Sequence, residues 1–263
     1  MAHMSSRSAY LAPEFIAMAH RGGALYSPNL GIENTLQAFR NALDLGFRYL
    51  ETDVHSTADG QLVAFHDSTL ERVTGFEGDI GDLTLEQAQE VLVGGSERIP
   101  TLDEVFEELP DAMLNLDLKE AGAVEPLVET IRRHRAQDRV CIGSFSLRRI
   151  NRFRRRLGSV PTAVSTVGAT ALALLGLGRL PGPGNVVFQV PLTHRVGALE
   201  MHIVTPKTIR AAHLAGRKVH VWTIDDPEVM HELIDWGVDG IITDRPDLLK
   251  GVLRTRGMWS TQE

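Results

Sequence analysis

Short apolar runs recur along this chain near residues 15–20, 49–54, 112–118, 139–144, 160–164, 186–190, 218–223 and 239–243. Between them lie stretches whose apolar residues fall three or four apart, the spacing of a helix with one buried face. Eight strand-and-helix units in 263 residues predict an α/β fold of one closed (β/α)8 TIM barrel over 15–250, with an extension at 1–14 and a tail at 251–263. An open doubly wound sheet is the alternative architecture. Leu36, Phe39, Leu43 and Phe47 mark the buried face of the first helix, with Asn34 as its expected N-cap. A later helix at 147–157 sets Leu147, Ile150, Phe153 and Leu157 against a face carrying Arg148, Arg149, Arg152, Arg154, Arg155 and Arg156.

Two segments depart from the alternation. The second run continues to His55, meets Ala58-Asp59-Gly60, and resumes as Gln61 to His66, which predicts a β-hairpin rising from the barrel's C-terminal face. Residues 68–110 then form a small insertion, with helices capped by Thr84 and Thr101. The other is 165–184, an apolar stretch followed by glycines and prolines. Its apolar part, Ala169 to Leu177, is too short to cross the ~30 Å hydrocarbon core of a bilayer. It reads either as a barrel helix with its loop or as an apolar rim facing lipid.

Composition narrows the function classes. A net charge of −7 argues against nucleic-acid binding, which needs net or local positive charge. The single cysteine, Cys141, cannot form an internal disulfide and fits a reducing compartment. No secretory signal is visible, because Pro13 and Glu14 break the run from Tyr10 to Ala19, so the expected location is the cytoplasm. The arginine-rich helix face reads as a solvated surface, with peripheral contact to anionic lipid as the alternative.

The chemistry concentrates at strand ends, where such barrels place their active sites. Glu51 and Asp53 are two apart on one strand and so share a face, where they repel unless a cation joins them. Asp117 ends the neighbouring strand. Three carboxylates without a cysteine suit one hard divalent cation, Mg²⁺ or Ca²⁺, rather than zinc. His20 and His66 each close an apolar run and form a candidate acid/base pair at neutral pH. His55 is left open between a supporting and a surface role. His134, His194, His202, His213 and His231 read as surface or packing residues.

Several ordered motifs carry a resemblance. His20-Arg21-Gly22-Gly23, Glu33-Asn34-Thr35 with Ala38-Phe39, Glu51-Thr52-Asp53-Val54-His55, Asp59-Gly60 and His66-Asp67 come first. Asn115 to Lys119, Val221 to Asp225 and Gly240 to Pro246 follow. Together they resemble the glycerophosphodiester phosphodiesterases over nearly the whole chain. The resemblance implies hydrolysis of glycerophosphodiesters to glycerol 3-phosphate and an alcohol, with His20 and His66 as the catalytic pair. Water attacks directly, or the adjacent glycerol hydroxyl attacks first to give a cyclic phosphate; the residues do not choose between them. Arg21 and Lys119 are expected to hold the phosphate, with ion pairing of Arg21 to Glu33 or Asp244 as the plainer reading. Trp222 reads as a wall for the glycerol or headgroup, or as packing. The family most often has glutamate where Asp117 stands, and aspartate there is similar to the related phospholipase D toxins. A lysophospholipase D acting through the same site is therefore the rival activity, and a non-enzymatic ligand-sensing barrel is a remote third.

Overall fold

The computed structural model describes residues 8–164, 186–196 and 199–259. Its first half runs β1 (Ile16–His20), α1 (Leu36–Asp44), β2 (Tyr49–Ser56), β3 (Leu62–Ala64), α2 (Glu71–Thr74), α3 (Leu85–Glu90), β4 (Leu92–Val93), β5 (Glu97–Arg98), α4 (Leu102–Glu108), β6 (Met113–Leu118) and α5 (Val124–Arg133). The second half runs β7 (Val140–Gly143), α6 (Leu147–Arg156), β8 (Thr162–Ala163), β9 (Val186–Pro191), β10 (Thr193–Val196), β11 (Leu199–His202) and β12 (Val219–Trp222), then β13 (Gly240–Thr243). Helices Pro206–Leu214, Pro227–Trp236 and Pro246–Thr255 complete it.

Eight parallel strands lie in the order β1-β13-β12-β9-β8-β7-β6-β2. Pairing of β1 with β2, through Met18↔Tyr49, Ala19↔Leu50 and His20↔Glu51, joins the two edges and closes the barrel. That pairing rules out the open sheet. Outward side chains such as Leu50, Leu114, Leu116 and Ile142 form one cluster with Phe39, Phe106, Leu127 and Phe153 of the surrounding helices. Inward side chains Ile16, Met18, Tyr49, Cys141, Val187 and Ile242 form a second. Tyr10 belongs to this inner cluster: its ring meets Tyr49 edge-on at 5.1 Å, and Tyr49 Oη donates to the Tyr10 carbonyl (2.8 Å). The N-terminal segment thus stops the end of the barrel opposite the strand C-termini. Cys141 is wholly buried there, and burial pushes its thiol pKa far up, so it packs as an apolar residue.

Local chemistry differs from expectation at the first helix. Thr35, not Asn34, caps α1 by accepting from Ala38 N (3.2 Å). Asn34 adopts φ 60°, a left-handed conformation that asparagine tolerates, and its amide turns inward to β2. There it donates to Asp53 Oδ2 (3.1 Å) and accepts from Thr52 Oγ1 (2.8 Å). The competing attraction of a buried carboxylate takes the asparagine away from the helix end. Thr84 and Thr101 cap α3 and α4 as expected, each in a reciprocal capping box.

The hairpin forms where Asp59-Gly60 places it, with β2 and β3 antiparallel through Val54↔Ala64, His55↔Val63 and Ser56↔Leu62. Asp59 Oδ1 accepts from Thr57 Oγ1 (2.5 Å) and from Leu85 N (3.0 Å), tying the turn to α3. Val63, Phe65, Leu70, Ile80, Ala88, Val93 and Ile99 make a small core of their own above the barrel. By contrast α4 sends Leu102, Val105 and Phe106 into the main core.

On α6, Arg152 and Arg156 pair with Glu125 of α5 (2.9 and 3.0 Å), and Arg149 and Arg154 bind Leu118 O and Thr162 Oγ1. Four of its six arginines therefore hold barrel neighbours, which weakens the lipid-facing reading of that helix. The stretch 165–184 lies outside the described residues. Among the described residues, no helix is long and apolar enough to cross a membrane.

One buried polar chain crosses the barrel interior. Gln189 Nε2 donates to Asn115 Oδ1 (3.0 Å) and lies 3.5 Å from Nδ1 of His220, which is wholly buried. Burial drives the His220 pKa down from 6.5 to about 3, so the folded protein holds a neutral ring. Unfolding then takes up a proton at any pH between those values, and stability contributed by neutral His220 is lost as pH falls below 6.5. The His220→Gln variant should show a pH dependence of unfolding free energy flatter by up to about 1.4 kcal/mol per pH unit between pH 6 and 4. Denaturant titrations at a series of pH values measure it, and an unchanged slope contradicts the assignment.

Candidate active site

The turn after β1 is built for close approach. Arg21, Gly22 and Gly23 have φ of 52°, 83° and 93°, three left-handed residues in succession. A Cβ on Gly23 would stand 2.6 Å from Pro246 Cγ, so only glycine passes under the last helix at this point. The reversal turns Arg21 back over the strand ends. Its Nη1 donates to Glu33 Oε1 (2.9 Å), and its Nε lies 3.5 Å from Asp53 Oδ2. That Nε is buried without a hydrogen-bond partner among the described residues. Glu33 and Asp53, not Asp244, therefore pair with Arg21.

Asp244 instead serves His20, its Oδ1 lying 2.7 Å from His20 Nδ1. A carboxylate acceptor makes Nδ1 the donor and leaves Nε2 to face Glu51 Oε2 at 3.6 Å. Asp225 braces Asp244, its Oδ1 accepting from Asp244 N (2.8 Å) and Thr243 Oγ1 (2.9 Å). Across the β2–β6 ladder Asp53 pairs in register with Asp117, and Lys119 Nζ bridges Asp53 Oδ1 and Asp117 Oδ2 at 2.8 Å each. Next to Asp117, a Cβ on Gly143 would come within 3.3 Å of its Oδ1, so glycine leaves the carboxylate room.

The hairpin brings His66 over this group as its return strand implies. His66 Nδ1 lies 2.6 Å from Asp67 Oδ1, and the His66 carbonyl accepts from His55 Nε2 (3.1 Å). His55 is therefore a buried support under His66 rather than a surface residue. One cavity of about 320 Å³ is lined by His20, Arg21, Glu51, Asp53, His66, Asp117, Lys119 and Trp222, the residues given a catalytic, metal-binding or substrate-binding role from the sequence. Its far wall is apolar, made by Phe145, Val164, Pro191, Ile203 and Trp222, with Phe145 edge-on to Trp222 at 5.9 Å.

The sequence profile of the glycerophosphoryl diester phosphodiesterase family matches residues 20–248. A Mycobacterium tuberculosis protein named "Probable glycerophosphodiester phosphodiesterase 2" is 42% identical over 93% of this chain and 92% of its own length. The glycerophosphodiester phosphodiesterase of Caldanaerobacter subterraneus subsp. tengcongensis is 33% identical over 92% of this chain and 99% of its own. The crystal structure of the Thermotoga maritima glycerophosphodiester phosphodiesterase matches with TM-score 0.72 at 26% identity, over 90% of this chain and 98% of that one. The chain belongs to the glycerophosphoryl diester phosphodiesterase family. An Oleispira antarctica phosphodiesterase solved with sn-glycerol-3-phosphate shares the fold at TM-score 0.75 and 24% identity, covering 91% of this chain and 96% of its own.

In this phosphodiesterase the charges of the cavity are unevenly met. Burial, followed by the nearby Asp53 charge, pushes Glu51 up to about 8, with His20 opposing the rise. Asp53 is as deeply buried, yet Lys119 and Arg21 outweigh the desolvation and hold it low. Burial disfavours the charged form of His20, but Glu51 and the Asp244 hydrogen bond outweigh it and raise its pKa. The site thus carries an unmet demand for positive charge at Glu51. Among the described residues no three His, Cys, Asp or Glu side chains are drawn together as a metal cluster. Lys119 stands between two of the three expected ligands and neutralises them.

Sequence reasoning missed the partners that hold these groups. Asp244 entered the sequence reading only as an alternative ion-pair partner of Arg21, and the signal for its pairing with His20 was position: in a closed barrel the last strand pairs with the first, so its end reaches His20. Phe145, which faces Trp222, carried only its place two residues beyond the end of β7. Arg72, which donates to Asp67 and Glu33, carried no signal beyond its nearness to His66-Asp67. Substituting Gly23 by alanine should cost about 1–3 kcal/mol from backbone strain, and more from the Pro246 overlap. A melting temperature equal to that of the native protein would contradict this reading of the turn.

Proposed function

We propose that this enzyme hydrolyses glycerophosphodiesters to glycerol 3-phosphate and the free alcohol. The observation that carries the reading is the convergence of two histidines, two cations and three carboxylates on one cavity, in a chain of this family. His20, fixed by Asp244 with Nε2 towards the cavity, takes the proton of the attacking oxygen, whether that oxygen is water or the neighbouring glycerol hydroxyl. His66, whose Nδ1 is held by Asp67, gives a proton to the departing alkoxide from Nε2. Arg21, whose Nε makes no hydrogen bond among the described residues, and Lys119 hold the phosphate oxygens.

The donor set fits a hard divalent cation: three carboxylates, one raised by burial and two joined only through an ammonium. Glu51, Asp53 and Asp117 would hold Mg²⁺ or Ca²⁺, which supplies positive charge to the phosphate as negative charge builds in the transition state. Phe145 and Trp222 shape the side that receives the alcohol. A second reading, a lysophospholipase D, is supported by that apolar wall and by a Rattus norvegicus relative named lysophospholipase D, 28% identical over 90% of this chain and 85% of its own. Choline release from glycerophosphocholine against release from lysophosphatidylcholine separates the two.

Chelation followed by dialysis should abolish turnover, and Mg²⁺ or Ca²⁺ should restore it; full activity in the verified metal-free protein contradicts the cation assignment. His20→Ala and His66→Ala should each lower kcat about 10²-fold or more on alkyl diesters. On a nitrophenyl ester, whose leaving group needs no proton, loss of His66 should cost far less than loss of His20. Near-native rates for both variants would remove the acid/base assignment. Lys119→Met leaves Asp53 and Asp117 facing each other with their ammonium removed, and breaking a buried pair costs about 3–5 kcal/mol. Thermal melts should therefore show a divalent cation stabilising this variant more than the native protein.

A further inference from the structure

His66 sits beyond the end of β3, past the last residue of the barrel sheet, and among the described residues its ring hydrogen-bonds Asp67 alone. Asp67 is held in turn by Arg72 of α2, a four-residue helix in the layer above the barrel. Arg72 Nε donates to Asp67 Oδ2 (2.5 Å), while Nη1 and Nη2 donate to Glu33 Oε2 (2.9 Å) and Oε1 (2.7 Å). Glu33 Oε1 also accepts from Arg21 Nη1 (2.9 Å). All three nitrogens of one planar guanidinium are therefore committed to two carboxylates, and each carboxylate holds a side chain of the cavity. We propose that Arg72 is a positioning residue of this phosphodiesterase, coupling the orientation of His66 to that of Arg21 across the mouth. The inference rests on the function proposed above for the catalytic role of His66.

Charge and geometry both point this way. Burial would raise the Asp67 carboxyl, but the hydrogen bonds from Arg72 and His66 outweigh it and hold it low, so it stays an acceptor for His66 Nδ1. With Nδ1 donating, Nε2 is the atom presented to substrate. A rigid fork fixes the distance between Asp67 and Glu33, which a single ammonium on a flexible stem does not. The Arg72 side chain is 47% exposed, and exposed ion pairs contribute little to stability. A mere surface staple would leave the chemistry alone; a positioning residue changes rate far more than melting temperature.

The test uses the full chain with its divalent cation and compares Arg72→Ala and Arg72→Lys with the native enzyme. Substrates are glycerophosphocholine and a nitrophenyl glycerophosphodiester, with thermal melts and ¹⁵N-histidine spectra alongside. Arg72→Ala should lower kcat about 10–100-fold, the range for residues that orient an active group. It should shift the ratio of the two rates in the direction that His66→Ala shifts it, and its melt should stay close to native. Its His66 spectrum should move from the Nδ1-protonated tautomer to a mixture. Arg72→Lys should recover only part of the rate, and in an Asp67→Asn background the Arg72→Ala change should cost much less. The proposal is overturned if kcat stays within twofold of native, if Arg72→Lys restores it fully, or if the His66 tautomer does not move. A native enzyme that turned over neither substrate would instead overturn the functional reading, while the tautomer measurement would still decide whether Arg72 holds His66.

Discussion

Carboxylates gathered in a protein interior demand positive charge, and most of this site follows from that demand. Glu51 and Asp53 are buried on one face of β2, and the β2–β6 register sets Asp117 beside Asp53. Taking such groups out of water is tolerable only with cations and donors in reach. Lys119, Arg21 and the Asn34 amide answer for Asp53, while among the described residues Glu51 meets His20 and the Arg21 backbone N–H, with Lys119 acting at longer range. The left-handed turn after β1, the inward rotation of Asn34 and the reach of Lys119 are the local structure that this electrostatic constraint selects. Under the function proposed above, a substrate phosphate would meet Arg21 and Lys119, and a divalent cation would meet Glu51, Asp53 and Asp117.

The support beyond these residues is arranged as two mirrored arms. On one side Asp225 fixes Asp244, and Asp244 fixes His20. On the other Arg72 fixes Asp67, and Asp67 fixes His66. Each histidine is thereby made a donor at Nδ1, leaving Nε2 for the proton transfers proposed above. One arm comes from the last barrel strand and the other from the layer above the barrel, so closure of the barrel and folding of that layer jointly assemble the pair.

The barrel was legible because most of its strands are short, largely apolar runs, and because Glu51 and Asp53 announce themselves by a spacing of two on one of them. The hairpin was legible from Asp59-Gly60. What the sequence hid were relations between distant segments. Asp244 reaches His20 only because β13 pairs with β1, and nothing local to either residue says so. Asn34 misled for a physical reason: its capping propensity is a local preference, overridden by a buried carboxylate nineteen positions away. The chain of Asn115, Gln189 and His220 inside the barrel joins three strands and leaves no pattern along any one of them.

The Tyr10 ring gives the vessel a floor. With Tyr10 and Tyr49 packed edge to face among the inner residues, the barrel is a cup rather than a pipe. Among the described residues, traffic therefore has the side of Phe145 and Trp222 as its doorway. If the proposed cleavage takes place there, both products share that opening, and the one nearest the carboxylates follows the other out.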